Sequence, residues 1–161
     1  MKNGKWVTNT PVYSPEVRGG SSNALVVISD QPVGSMMVSR ADAAIFLAHQ
    51  SVGRLLPSLK PGARVVYNST LVQADSRRLH DVEHVSLPCT DLATEVGDVR
   101  AANMVALGAL TALEPDLPLD WLCGALPEML GASKARFVDL NRRALEKGAE
   151  EARGILARAT N

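Results

Sequence analysis

Aromatic residues are scarce in this chain, with two Trp, two Tyr and two Phe making up 4% of the sequence. Few flat surfaces remain on which unpaired bases can stack, so single-stranded nucleic acid is a poor candidate ligand. Cysteine is as rare. Cys89 and Cys123 stand far apart and outside any Cys-x-x-Cys pair, which excludes a chain-borne iron–sulfur cluster or structural zinc and leaves two reduced core thiols as the expectation. Charge of one sign is missing too: 17 basic side chains balance 17 acidic ones, so nothing points to a polyanion. The longest nearly apolar run, 101–113, is broken by Asn103, Gly108 and Thr111, and no basic start precedes an apolar signal core. A cytoplasmic protein without a membrane anchor is expected.

What is present suits one domain. At 161 residues and 46% hydrophobic content, the chain can bury a core of Ala, Val and Leu without covalent staples. The β-branched run 23–29 is followed by Asp30-Gln31-Pro32 and a second apolar stretch, 33–38, a pattern that predicts a hairpin. The segment 43–48 lacks alternation and predicts a strand buried on both faces. An amphipathic helix over 50–59, stopped by Lys60-Pro61-Gly62, leads to a strand over 63–67. A shorter strand, 84–87, precedes a helical turn capped by Thr90 or Asp91 and ended by Gly97. Helices are then predicted over 98–114, apolar nearly all round, over 119–130 with a kink or early end at Pro127, and over 133–159, where Gly148 and Gly154 weaken the second half. Strands alternating with helices, then a helical tail, predict an α/β domain with three α/β/α layers and a sheet made mixed by the hairpin.

The stretch from Thr8 to Ser22, before the first predicted strand, reads as one turn-rich loop and is unlike a linker. It alternates rigid Pro with a planar Arg fork and paired glycines, so it is suited to holding a shape. Within it stands Tyr13-Ser-Pro-Glu-Val-Arg-Gly-Gly20. Taken in order with Val27-Ile-Ser-Asp30, Ala41-Asp42, Val66-Tyr-Asn-Ser69, Asn103-Met-Val-Ala-Leu-Gly108, and Asn141 with Ala144-Leu-Glu-Lys-Gly148, it resembles the γ subunit of 2-oxoacid:ferredoxin oxidoreductases. The resemblance covers about residues 5 to 148, and the loop is similar to the 2-oxoglutarate type first, with pyruvate and branched-chain types beside it.

This resemblance implies a single γ-type domain over 1–161, Rossmann-like, in an enzyme that converts a 2-oxoacid and coenzyme A to acyl-CoA, CO2 and reduced ferredoxin. It implies α and β subunits, with a δ subunit in some members, as partners, and ferredoxin reached through the complex. Thiamine diphosphate, Mg2+ and the iron–sulfur clusters belong to those partners, since this chain has neither a cysteine set nor a Gly-Asp-Gly followed by Asn. In the family the domain opens with a strand, a G-x-G-G-Q-G turn and a helix, and Met1 to Val7 begins where that helix should end. The usual N-terminal βα unit is therefore expected to be lacking; a misplaced start codon, an expressed fragment or a second polypeptide supplying the unit would each account for it.

No residue here is expected to be catalytic. Candidates for substrate, coenzyme A or subunit contact are Tyr13, Glu16, Arg18, Gly19, Gly20, Asn68, Ser69 and Asn103. Arg18 either grips a carboxylate or phosphate or pairs with Glu16 or a neighbouring subunit. Asn68 and Ser69 sit just past a strand's carboxyl end, where open α/β sheets bind ligands, and turn capping competes for them. Asn103 lies in an apolar helix and needs a partner for a buried amide. His49, His80 and His84 suggest neither a triad nor a metal face. Ser29-Asp30 closes a turn, and Met36, Met37 and Met104 are packing residues. Two other functions fit the pattern: a stand-alone nucleotide- or coenzyme A-binding domain, and a structural homodimer formed through helix 98–114.

Overall fold

Strand pairing divides this chain into two compact units, 1–41 and 42–161. The computed structural model describes residues 4–13, 22–35, 38–73, 79 and 81–159.

In the first unit β1 (Trp6–Tyr13) pairs antiparallel with β2 (Ser22–Ser29) in a two-stranded sheet, with Trp6 opposite Ser29 and Tyr13 opposite Ser22. The hairpin partner of β2 thus precedes it, where the sequence predicts a partner over 33–38 and a loop from Thr8 onward; Thr8 to Tyr13 are strand, paired residue for residue with β2. Val7, Thr8, Thr10 and Val12 supply the β-branched side chains that favour a strand, while Val33–Ser35 carry Gly34 after Pro32 and form none. Lys5 Nζ reaches Asp30 Oδ1 at 2.6 Å across the open end of the hairpin. Opposed positions share a face. Val7, Val26 and Ile28 therefore lie together, each about half exposed.

The second unit holds a three-stranded sheet of order β3 (Ala41–Phe46), β4 (Leu59–Asn68), β5 (Val82–Leu87), with β4 and β5 parallel. The strand buried on both faces is the central β4, whose Val65, Val66, Tyr67 and Asn68 are all 1% exposed or less. In β3 only Phe46 is buried, since β3 lies at the edge of this sheet. Between them α1 (His49–Leu55) passes into a 3-10 turn, Leu56–Ser58, because Pro57 has no N–H to extend the helix. Lys60-Pro61-Gly62, which the sequence suggests as a helix stop, instead lies inside β4. Gly62 adopts φ +75° there and donates its N–H to Asp81 O at 2.6 Å.

α2 (Cys89–Val96) ends at Gly97, whose φ of +125° lets the amides of Gly97 and Asp98 both bond Ala93 O. Asp98 caps the next turn. Its carboxylate accepts from the Arg100 amide at 2.9 Å and pairs with the guanidinium at 2.6 Å, so helix α3 (Ala102–Leu113) begins later than the apolar pattern suggests. Those bonds hold the Asp98 carboxyl down at about 2. A carboxyl depressed when folded contributes stability above its unfolded value of about 3.9 and loses it as pH falls toward 2. An NMR titration should place the Asp98 midpoint near 2, and Arg100→Ala should return it to the ordinary range; an unmoved midpoint would remove Arg100 as the cause.

α4 (Leu119–Leu130) runs past Pro127 without an early end, because the proline lies in its last turn and its own carbonyl still accepts from Gly131. A 3-10 turn, Ala132–Phe137, leads into α5 (Val138–Ala159). Gly148 does not loosen α5 as its helix propensity suggests. A Cβ at Gly148 would lie 1.9 Å from Val105 O, and one at Gly108 would lie 1.9 Å from Leu145 O, so α3 and α5 meet backbone to backbone at a reciprocal pair of glycines. Ala149 and Ala152 are fully buried beyond that seat. The core joins Val66, Val85 and Leu87 of the sheet to Leu92 of α2, Val105, Ala109 and Leu113 of α3, and Ala144 and Ala152 of α5. No helix among the described residues is long and apolar enough to cross a membrane.

Candidate functional site at the carboxyl end of the central strand

β4 ends on the buried polar residue Asn68, 1% exposed. Register puts Asn68 opposite Leu87 and Tyr67 opposite Ser86, so Asn68 shares the core face with Val66. A carboxamide there needs partners for both ends. Its Nδ2 donates to Thr90 Oγ1 at 2.8 Å and its Oδ1 accepts from Thr90 N at 3.3 Å. Thr90, predicted as a helix cap, uses its hydroxyl on Asn68 instead, and Pro88 holds the cap position without a side-chain bond.

Past Asn68 the chain turns. Asn68 O accepts from the amides of Leu71 and Val72 at 3.1 and 2.8 Å, and Ser69 N donates to Leu87 O at 2.7 Å. Thr70 Oγ1 donates to Asp91 Oδ2 at 3.2 Å. The turn borders a cavity of about 270 Å³ lined by His49, Ser69, Thr70, Leu71, Val72 and Gln73. The lining thus combines residues bearing hydroxyl, imidazole and carboxamide groups with apolar Leu71 and Val72, a composition able to hydrogen-bond a polar ligand.

The other sequence candidates divide. Tyr13 is the last residue of β1; its side chain, and the whole of Glu16, Arg18, Gly19 and Gly20, lie outside the described residues, as do His80, Met36 and Met37. Asn103 is exposed on α3. The expected buried amide is therefore corrected: Asn103 falls on the helix side away from Val105, Ala109 and the α5 seat. The sequence marks Asp91 only as a cap alternative, sets His49 aside with the other histidines, and does not mark Gln73. Only the position of Asn68-Ser69-Thr70 after a strand hinted at them.

Burial pushes the Cys89 thiol up to about 12. Cys123, half-buried on α4, is raised as well, by burial first and then by Glu146. Neither is a ready thiolate ligand, and two separate thiols cannot make a four-cysteine cluster site.

The family model described as pyruvate ferredoxin/flavodoxin oxidoreductase matches residues 1–151. Among curated relatives, ketoisovalerate oxidoreductase subunit VorA of Methanothermobacter thermautotrophicus is 35% identical over 144 residues, 89% of this chain and 29% of that protein. The 2-oxoglutarate synthase subunit KorC of Methanocaldococcus jannaschii is 36% identical over 110 residues, 68% of this chain and 59% of that one. The chain thus spans less than two thirds of either relative. The crystal structure of the keto/oxoacid ferredoxin oxidoreductase gamma subunit from Geobacter sulfurreducens PCA superposes with a TM-score of 0.77 at 27% identity, covering 94% of this chain and 81% of that one.

Proposed function

The chain belongs to the pyruvate ferredoxin/flavodoxin oxidoreductase family, and on that premise we propose that it completes a thiamine diphosphate-dependent 2-oxoacid:ferredoxin oxidoreductase as its γ component. The complete enzyme would convert a 2-oxoacid, 2-oxoglutarate by preference, with coenzyme A and oxidised ferredoxin to acyl-CoA, CO2 and reduced ferredoxin. The observation that carries this reading is the family match over residues 1–151. In it, partner α and β subunits hold thiamine diphosphate, Mg2+ and the clusters, because the two separate thiols here do not fit a cluster. Thiamine diphosphate supplies the carbanion chemistry when bound in those partners; this chain supplies contacts.

Two contact regions are proposed, one in each unit of the chain. Loop residues Tyr13, Glu16, Arg18, Gly19 and Gly20, carried between β1 and β2, face the catalytic subunits, a role supported by the exposed apolar Val7, Val26 and Ile28 on the same hairpin. The cavity at Ser69 and Thr70 takes part of coenzyme A. Its lining holds no Lys, Arg, Asp or Glu, and Thr70 sits on the Asp91 carboxylate, which suits the amide-bearing arm better than the phosphates.

Purification under anaerobic conditions from the native source should bring down larger subunits with brown absorbance and thiamine diphosphate. A colourless chain on its own overturns the proposal. In the intact enzyme, Arg18→Ala should lower kcat or raise an apparent KM by roughly 10- to 100-fold, the scale of one lost charge-assisted bond. Unchanged kinetics would remove Arg18 from the site.

A further inference from the structure

Resting on the coenzyme A reading of the strand-end cavity, we infer that Asn68 is a positioning residue: it latches the Ser69–Thr70 turn to α2 and does not itself touch the ligand. The carboxamide is 1% exposed, and both its ends are spent on Thr90, one donating at 2.8 Å and one accepting at 3.3 Å. The main-chain carbonyl of the same residue accepts the amides of Leu71 and Val72, so the turn that carries Ser69 and Thr70 hangs on Asn68 from both sides.

A second latch, Thr70 Oγ1 to Asp91 Oδ2, lies two residues past Asn68 and one past Thr90. Ser69 is held between the two, its amide on Leu87 O, and the residue lines the cavity. Asparagine carries a neutral donor and a neutral acceptor on two separate atoms, as the two bonds to Thr90 require. Aspartate would accept from Thr90 but bring a charge into a buried position, and leucine would bond nothing. The latch also fixes the start of α2 against the strand end, because Thr90 lies in the first turn of that helix.

The test uses the complete enzyme reconstituted with variants of this chain, with coenzyme A and 2-oxoglutarate varied separately. Thr90→Val, which keeps the shape and removes the hydroxyl, and Asn68→Asp should each raise the apparent KM for coenzyme A about tenfold, the scale of one displaced contact. KM for 2-oxoglutarate and kcat should change less than twofold. Thr90→Ser should restore the wild-type KM, which a purely packing role would not do. A lowered melting temperature with an unchanged KM for coenzyme A, or no rescue by serine, overturns the positioning role.

Ser69→Ala separates the two levels. If it leaves KM for coenzyme A unchanged, the ligand reading of the cavity fails and the positioning role falls with it. If Ser69→Ala raises that KM and Thr90→Val does not, only the positioning role fails.

Discussion

Gly148→Ala should destabilise the chain by about 4 kcal/mol or more, at the far end of what single substitutions do. The added Cβ would sit 1.9 Å from Val105 O and 2.7 Å from the carbonyl carbon behind it. Both are backbone atoms of a buried helix, so no rotamer change relieves the clash, and α5 must back away from α3 across its whole seat. Gly108→Ala should behave alike, meeting Leu145 O at 1.9 Å from the opposite side. Gly154→Ala is the control. Its Cβ would meet only the Arg158 side chain, at 3.6 Å, so the usual helix gain of up to about 1 kcal/mol should appear. Urea melts of the three variants decide it. A Gly148→Ala chain as stable as the wild type would mean the helices do not meet at the glycines.

Phe46→Ala should cost about 3–5 kcal/mol, the range for emptying a buried aromatic site, while the neighbouring Tyr67→Phe should add stability. Phe46 and Tyr67 stack with centroids 5.2 Å apart and planes 17° from parallel, and both are 0% exposed. The Tyr67 phenol has no hydrogen-bond partner among the described residues, and burial pushes it up to about 12. An unsatisfied buried hydroxyl costs about 1–3 kcal/mol. Removing it while keeping the ring should therefore raise the urea midpoint with no change in slope. A fall in the midpoint would show that the phenol is bonded.

Much of this was legible in the residues, and the misses have physical causes. The helix over 119–130 was predicted at its observed bounds, since a proline in a last turn leaves the rest of the helix bonded. Strand β2 was legible too, but its partner was not. Pairing is a choice between segments, and 33–38 is nearer an obvious turn than 6–13 is. Lys60-Pro61-Gly62 misled because turn residues can also sit where an edge of a strand bends, as Gly62 does at φ +75°.

The candidate site shows the same division. Ser69 and Thr70 were placed by their position after a strand, a local rule. Their companions His49 and Asp91 come from α1 and α2, elements distant along the chain, so no spacing pattern pointed to them. Asn103 went the other way: an apolar helix suggested burial, but the side that packs is set by Gly108 against α5.

By itself the sequence determined the family, through motifs ordered along residues 5 to 148, and the class of fold, through short strands alternating with helices. These depend on residue order and local propensity, which a chain carries before it folds. Only the tertiary structure decided that Gly148 is a seat and not a weakness, that Thr90 serves Asn68 and not its own helix, and that Asn68 is consumed by that bond. Such roles depend on which surfaces meet, and a glycine or an amide acquires its energetic meaning from the neighbour that packing delivers.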